Sequence, residues 1–534
     1  MHILDVTEID HRINPIPIMA GSSILTNHSL EWVQEKGWCS PVTVDTLTAL
    51  GYKHLTAVQL LALPQLLTKA NTYIHARTGS GKTLAFLIPA LERLKAMGFK
   101  NKHGVGALII SPTRELAVQI ATVLKPLAEA FGFSSITITG GTKAKSICTK
   151  KGCMFVIGTP GRLAETLLDE DIPCLKVCNL KILILDEADR LLDDGSHTQQ
   201  LRRIISALPK EQVQKVLVSA TLNSKCQELS KEIFMADFSF ITAEQHGAFT
   251  TSQIKQKYLS VPARERMSML ITVLQTLQKK KVIVFFNSCH SVKFHYKVLQ
   301  EFKLPIFYCM GQEKQARRSS MYSKFLEMKR GTLLTTGLAE RGWDIPCVHW
   351  IIQYDPPHKP EDYIHRVGRT SRGEGRTGQA LLFLRPEECK FLDVLRGMHV
   401  KIDEIEFSGD LNDIQDKVHS LIADNVEIQQ MGKLAYKKFV RAYQCHKLKK
   451  IFNIQELDLE EPPCYPWRDE GTLCHLVPLT AVPTTGFVLV LPCSAVDSLS
   501  ATRSPAGSTS WCAPAARKSS TYPLNSPRGG EGLE

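Results

Sequence analysis

Eight consecutive residues, Ala76, Arg77, Thr78, Gly79, Ser80, Gly81, Lys82 and Thr83, stand between a short apolar run and the helix-like Leu84-Ala-Phe-Leu-Ile-Pro89. No other feature limits the available folds so strongly. A glycine-containing loop between a strand and a helix is the form a phosphate cradle takes. Gly79 and Gly81 let backbone N–H groups approach phosphate oxygens, Lys82 offsets the β/γ charge, and the Thr83 hydroxyl can ligate Mg²⁺. A plain glycine turn is the alternative reading. Further on, Ile182-Leu-Ile-Leu185 runs directly into Asp186, Glu187, Ala188 and Asp189. There Asp186 can hold Mg²⁺ and Glu187 can polarise a water. Alone such a strand end would as often be a solvated turn; the two motifs together point to hydrolysis of a nucleoside triphosphate.

Apolar runs recur around these motifs. Between residues 44 and 240 they are Ala107-Leu-Ile-Ile110, Met154-Phe-Val-Ile157, Ile182-Leu-Ile-Leu185 and Val216-Leu-Val218, separated by longer helix-like stretches. That alternation predicts a parallel, doubly wound α/β sheet. A second set comprises Lys281-Val-Ile-Val-Phe-Phe286, Pro305-Ile-Phe-Tyr308, Thr332-Leu-Leu334, Val348-His-Trp-Ile-Ile352 and Ala380-Leu-Leu-Phe383. Two α/β domains in series are expected, at 25–242 and 257–400, joined by a polar linker at 243–256 that permits hinge motion. Over 401–461 the period turns helical, with Leu411, Ile414, Val418 and Ile422, then Ala435, Phe439, Val440 and Tyr443. Residues 462–534 hold ten of the chain's 27 prolines and only one lysine, Lys518, and read as an atypical disordered tail.

Composition narrows the classes. A chain of 534 residues, 43% hydrophobic, can bury cores without disulfide or metal staples. Its fifteen scattered cysteines suit reduced thiols in a cytosolic or nuclear protein. Cys148 with Cys153 and Cys174 with Cys178 lack the tight gap and nearby histidines of a zinc site. Asp5, Glu8, Asp10 and Arg12 interrupt any secretory signal over residues 1–20, and Pro478, Pro483 and Pro492 break the late apolar stretch, so neither export nor a membrane span is expected. The net charge of +12 permits a polyanionic partner without demanding one.

Gln59, residues 76–83, Pro112-Thr-Arg-Glu-Leu-Ala117, Thr159-Pro-Gly-Arg162, Asp186-Glu-Ala-Asp189, Ser219-Ala-Thr221 and His365-Arg-Val-Gly-Arg369 with Arg372 resemble, in order and spacing, the motifs of the DEAD-box RNA helicases. The resemblance covers roughly residues 30–400 and implies two tandem RecA-like domains followed by a helical C-terminal extension. ATP and Mg²⁺ are the implied cofactors and RNA the partner. Residues Ala76 to Thr83 would bind nucleotide, Gln59 would pair with the adenine edge because an amide offers donor and acceptor together, and Asp344 would meet the ribose. Thr83 and Asp186 would hold the metal. Lys82, Asp186, Glu187 and two arginine fingers, Arg369 and Arg372, make up the implied catalytic set; such a finger contributes roughly 10³ to 10⁵ in rate. Arg114, Gly141, Thr159 and Arg162 in the first domain, with Ser288, Arg318 and Thr336 in the second, would touch RNA sugar and phosphate, which positions a strand without reading its sequence. Ser219, Thr221 and His365 would couple the acidic motif to closure. Trp32 is the candidate for an aromatic stacked near adenine, with Trp38 close by and a core role as the alternative.

After the core, Ala435-Tyr-Lys-Lys-Phe-Val-Arg-Ala-Tyr443 and His446-Lys-Leu-Lys-Lys-Ile-Phe-Asn453 resemble nucleolar members of the family. With Gln353-Tyr-Asp-Pro-Pro357 and Tyr363-Ile-His-Arg366 they point to the branch acting on large-subunit pre-ribosomal RNA. That implies a nuclear, nucleolar monomer working on pre-ribosomal particles; a basic helix packed on the second domain is a compatible reading of the same segment. The chain also departs from the pattern. Thr336-Gly337-Leu338-Ala339-Glu340-Arg341-Gly342-Trp343-Asp344 lacks the family's first acid and has Glu340 for an Ala, Met310 replaces a common His, and Ser196 replaces an aromatic. An ATP-dependent RNA helicase that locally unwinds structured RNA is the expected function. A catalytically weak, ATP-gated RNA-binding protein is the alternative, and a DNA helicase the third.

Overall fold

The computed structural model describes residues 28–457 except 77–78, 141–151, 168–176, 193–194, 210–212, 222–223, 235–237, 243–253, 338–344, 346–347, 371–376 and 408. The expected tail, Cys148 and Cys174 lie outside the described residues.

Seven parallel strands build the first sheet: β1 (Thr72–His75), β2 (Ala107–Ile110), β3 (Ser135–Ile138), β4 (Phe155–Gly158), β5 (Ile182–Leu185), β6 (Gln214–Ser219) and β7 (Ser239–Thr242). Their spatial order is β3-β4-β2-β5-β6-β1-β7. A strand buried on both faces reads as an unbroken apolar run, yet its side chains still alternate. Ile74, Ala107, Ile109, Ile182, Ile184, Val216 and Val218 enter one core, whereas Tyr73, Leu108, Ile110, Leu183, Leu185 and Leu217 enter the core on the opposite face. Because all strands run the same way, the loops after β1, β2, β4, β5 and β6 emerge along one carboxyl edge, where open α/β sheets bind ligands.

The second sheet repeats the plan with β8 (Ile254–Ser260), β9 (Lys281–Phe285), β10 (Ile306–Cys309), β11 (Gly331–Thr335), β12 (Trp350–Gln353), β13 (Gly378–Leu384) and β14 (Asp403–Glu404), in the order β10-β11-β9-β12-β13-β8-β14. Two boundaries differ from the sequence reading. Ile254, Lys255 and Gln256, expected in the linker, pair with Gly378, Gln379 and Ala380. Asp403 and Glu404, expected in the extension, pair with Lys257 and Tyr258 and complete the sheet. Apart from Ile254, both segments are polar strand ends whose ladder bonds are made by backbone, so their side chains gave no run of apolar residues.

The extension forms helices Asn412–Asp424 and Val426–Gln444. Val418, Ile422, Ile428 and Ala435 join one core of the second domain, and Tyr443, Phe452 and Leu457 join the other. It is therefore an integral part of that domain. Among the described residues no helix is long and apolar enough to cross a membrane.

Candidate active site

The loop after β1 needs its glycines. Gly79 and Gly81 have φ of 80° and 89°, the left-handed region that glycine occupies without a Cβ clash. Gly81 caps helix Lys82–Ala96, and a Cβ there would come within 2.5 Å of Gln59 Nε2. Lys82 reaches back across the loop, its Nζ donating to the Ala76 carbonyl at 2.6 Å. Burial holds the Lys82 ammonium below its usual range, opposed by Asp186, Glu187 and Asp189. Thr83 follows in the first turn of the helix. Arg77 and Thr78 lie outside the described residues.

Gln59 has a structural duty besides the adenine role implied for it. It is the third residue of helix Ala57–Leu67 and closes a capping box with Thr56: its Oε1 accepts from the Thr56 N–H at 2.8 Å. Its Nε2 donates to the Gly81 carbonyl at 2.9 Å. One N–H and one lone pair of the amide remain for a base edge.

At the end of β5 the acids crowd together. Asp186 is 4% exposed, and its Oδ1 accepts from the Glu187 N–H at 3.0 Å. Burial, reinforced by the Glu187 charge and opposed by Lys82, pushes its carboxyl up to about 7. Glu187 has φ of 47°, a costly backbone conformation for a side-chain-bearing residue. Its buried Oε2 has no hydrogen-bond partner among the described residues. A carboxylate held at a strained corner with an unmatched oxygen suits contact with a water or a cation.

Asp189 ties this edge to the second domain. Its Oδ2 accepts from Thr221 Oγ1 at 2.8 Å and lies 3.2 Å from His365 Nε2. A carboxylate only accepts, so Nε2 carries the hydrogen. Ser219 and Thr221 brace each other, Ser219 Oγ donating to the Thr221 carbonyl at 2.8 Å and accepting from the Thr221 N–H at 3.2 Å. Arg369 is 3% exposed, its Nε donates to the His365 carbonyl at 3.3 Å, and its like charge adds to burial in holding the Lys82 ammonium below its usual range. The three coupling residues and one arginine of the second domain thus meet the nucleotide edge. Arg372 and Asp344 lie outside the described residues.

The residues assigned to RNA fall along a second stretch of the carboxyl edges. Arg114 begins helix Arg114–Ala130, and a Cβ at Gly140 would collide with its guanidinium, so that glycine makes room for the arginine. Gly141 lies outside the described residues. Thr159 donates its N–H to Ile138 at 3.2 Å, and Arg162 pairs with Glu165 at 2.8 Å. Ser288 caps helix Cys289–Glu301 by accepting from the Ser291 N–H at 3.0 Å. The Thr336 carbonyl accepts from Thr335 Oγ1 at 3.2 Å. Arg318 crosses between domains to Glu115 at 2.8 Å and also bonds Gln315. Beside it Gln119 Nε2 donates to Tyr322 Oη at 3.4 Å.

Three features escaped sequence reasoning: the Asp189–His365 link, the Glu115–Arg318 pair, and the Gln59 grip on Gly81. The first had a weak signal, since Asp189 closes the same acidic motif that Asp186 opens, three residues earlier. Trp32 stacks on His28 at 3.8 Å and meets Trp38 edge-on at 5.6 Å against the first core. Met310 is 1% exposed within an apolar core, so the position commonly held by His is filled by packing. Ser196 lies in helix Gly195–Ala207, and Gly337 is half-buried after β11.

Known proteins show the same arrangement. Residues 56–229 match the family description "DEAD/DEAH box helicase", residues 265–374 "Helicase conserved C-terminal domain", and residues 425–461 "ATP-dependent rRNA helicase SPB4-like, C-terminal extension". The chain is 39% identical over 424 residues to the ATP-dependent RNA helicase HAS1 of Candida glabrata, covering 79% of this chain and 85% of that protein. It is 40% identical to the human ATP-dependent RNA helicase DDX18 and 41% identical to pitchoune of Drosophila melanogaster, covering 79% and 80% of this chain. It spans 64% and 62% of those two proteins, less than two thirds of their lengths. Among solved structures, Mss116p bound to ssRNA and AMP-PNP superposes with a TM-score of 0.71 at 26% identity, covering 80% of this chain and 88% of that one. With both helicase domains, the acidic strand end and the extension in place, the chain belongs to the DEAD-box family of ATP-dependent RNA helicases.

Proposed function

We propose that this protein hydrolyses ATP in response to RNA and uses the cycle to unwind structured RNA locally. The observation that carries the reading is the buried Asp189–His365 contact, which supports Arg369 as a group delivered to the nucleotide edge by the second domain. In this reading residues 76–83 hold the phosphates, with Lys82 on the β/γ oxygens, Gln59 meets adenine and Asp344 meets the ribose. Glu187 orients the attacking water, and Arg369 with Arg372 offsets charge developing on the transferred phosphoryl.

The residues present fit Mg²⁺: the Asp186 carboxyl is pushed up by burial beside another acid, a situation that a cation relieves, and the Thr83 hydroxyl stands at the helix start. Asp186 and Thr83 would hold the ion, which when bound neutralises phosphate charge. Because Thr221 and His365 share one carboxylate oxygen of Asp189, loss of the closed arrangement on one side is felt on the other. Closing and reopening would then bend one strand of a duplex and release it.

Arg114, Gly141, Thr159, Arg162, Ser288, Arg318 and Thr336 are assigned to RNA sugar and phosphate; the ssRNA bound to Mss116p supports this. The words "rRNA helicase" in the match to the extension support ribosomal RNA as the substrate, and a monomer acting on pre-ribosomal particles in the nucleolus is proposed with it.

Hydrolysis measured with and without structured RNA tests the proposal, with Glu187→Gln as control. RNA stimulation abolished by that substitution is expected. Turnover that appears only in Gly337→Asp would overturn it in favour of an ATP-gated RNA binder, and equal stimulation by deoxyribose strands would remove RNA as the substrate.

A further inference from the structure

We infer that His446, in the C-terminal extension, is a positioning residue for ATP hydrolysis. Its ring is 2% exposed just beyond helix Val426–Gln444. The Leu448 N–H donates to His446 Nδ1 at 3.1 Å, so Nδ1 is an acceptor and the hydrogen sits on Nε2. That Nε2–H reaches the Pro357 carbonyl at 3.1 Å, across 89 residues of sequence. Burial keeps the ring neutral at ordinary pH, which is the state the tautomer argument requires.

Pro357 lies in the turn that leads from β12 into helix Pro360–Val367, the helix carrying His365, with Arg369 just beyond it. The body of the second domain holds the first half of that turn. Asp355 Oδ2 accepts from the Asn287 N–H at 2.9 Å, Asn287 Nδ2 donates to the Pro356 carbonyl at 2.8 Å, and Arg366 Nη1 donates to the Asp355 carbonyl at 3.0 Å. His446 holds the next carbonyl along. It is itself set by Phe452, whose ring centroid lies 3.8 Å away, and the extension is pinned nearby where Arg385 covers the Phe439 ring at 4.7 Å. A carbonyl released on one side lets the turn, and hence the start of the helix, relax toward solvent. His365 would then meet Asp189 less often, and Arg369 would reach the nucleotide edge in a smaller fraction of closures.

This inference rests on the roles proposed above for His365 and Arg369, and the test separates the two. In the full chain, His446→Gln keeps an N–H near the Nε2 position, His446→Phe keeps the ring on Phe452 without a donor, and His446→Asn carries an amide too short to reach. RNA-stimulated kcat is expected to fall about fivefold to tenfold in the Phe and Asn variants, the loss of one buried hydrogen bond, with KM for ATP within about twofold and with recovery in His446→Gln. Hydrogen exchange of the amides in 360–369 should quicken in Phe and Asn and not in Gln. Unchanged kcat with unchanged exchange in the Asn variant overturns the inference, as does a Gln variant impaired like Phe, which would assign the effect to ring packing. If the unaltered chain showed no RNA-stimulated turnover, the proposed function would fall, and exchange in 360–369 would still decide whether His446 sets that helix.

Discussion

Among the polar contacts between the two domains, the Asp189–His365 and Glu115–Arg318 pairs differ most in character. His365 and Asp189 are 0% and 2% exposed, and Asp189 is also held by Thr221. Arg318 and Glu115 are 12% and 13% exposed, and Arg318 has a second partner in Gln315. Water cannot replace a partner lost from the first contact, so breaking it leaves a buried group unmatched. The second is less deeply enclosed, and a phosphate oxygen offers Arg318 the same charge-assisted bond that Glu115 does. The inner contact therefore sets geometry, whereas the outer one, on the role proposed for Arg318, would be exchanged for RNA.

Substitutions along this path should rank by depth. Arg369→Ala removes the group that the inner contact delivers, and kcat should drop by about 10³-fold with little change in KM for ATP. His365→Ala leaves Arg369 present but strips Asp189 of its partner in the second domain; a loss on the order of 30-fold in RNA-stimulated kcat is expected from stopped-turnover assays. Thr221→Val removes only the hydroxyl that aims Asp189, and about a fivefold to tenfold reduction should appear in the same assay. Glu115→Gln should be mildest and opposite in sign. It frees Arg318 by replacing its charged partner with a neutral amide, so RNA at half-saturation should fall by about twofold to fivefold, as titrated by fluorescence anisotropy with a non-hydrolysable ATP analogue. A Glu115→Gln effect as large as that of His365→Ala would abolish the distinction between the two contacts.

Much of this was legible in the chain, for reasons that differ by residue. Runs such as Ile182-Leu-Ile-Leu185 announce strands covered on both sides because every position is apolar. Ser135–Ile138 went unseen because β3 sits at the edge of its sheet, with Ser135 exposed and Ile136 and Thr137 half-buried, which removes the apolar run that marks the others. The phosphate loop and acidic strand end were readable as local patterns. The contacts between domains were not: His365 is 176 residues from Asp189 and Arg318 is 203 residues beyond Glu115. No local period records such a pairing, since it depends on how two separately folded sheets present their carboxyl edges. Gln59 was readable as a base-pairing amide but not as a capping residue bonded to Gly81, because its first neighbour is set by the helix start and its second by the loop 22 residues on.

That last arrangement bears on how nucleotide choice could change. The side chain assigned to the base also fastens the turn that grips the triphosphate, so selectivity and grip share one amide. Replacing Gln59 to admit guanine would slacken the hold on inorganic triphosphate, a ligand with no base at all. A switch of nucleobase in this scaffold therefore requires a second change that secures the Gly81 carbonyl by other means, which makes single-step drift in specificity difficult.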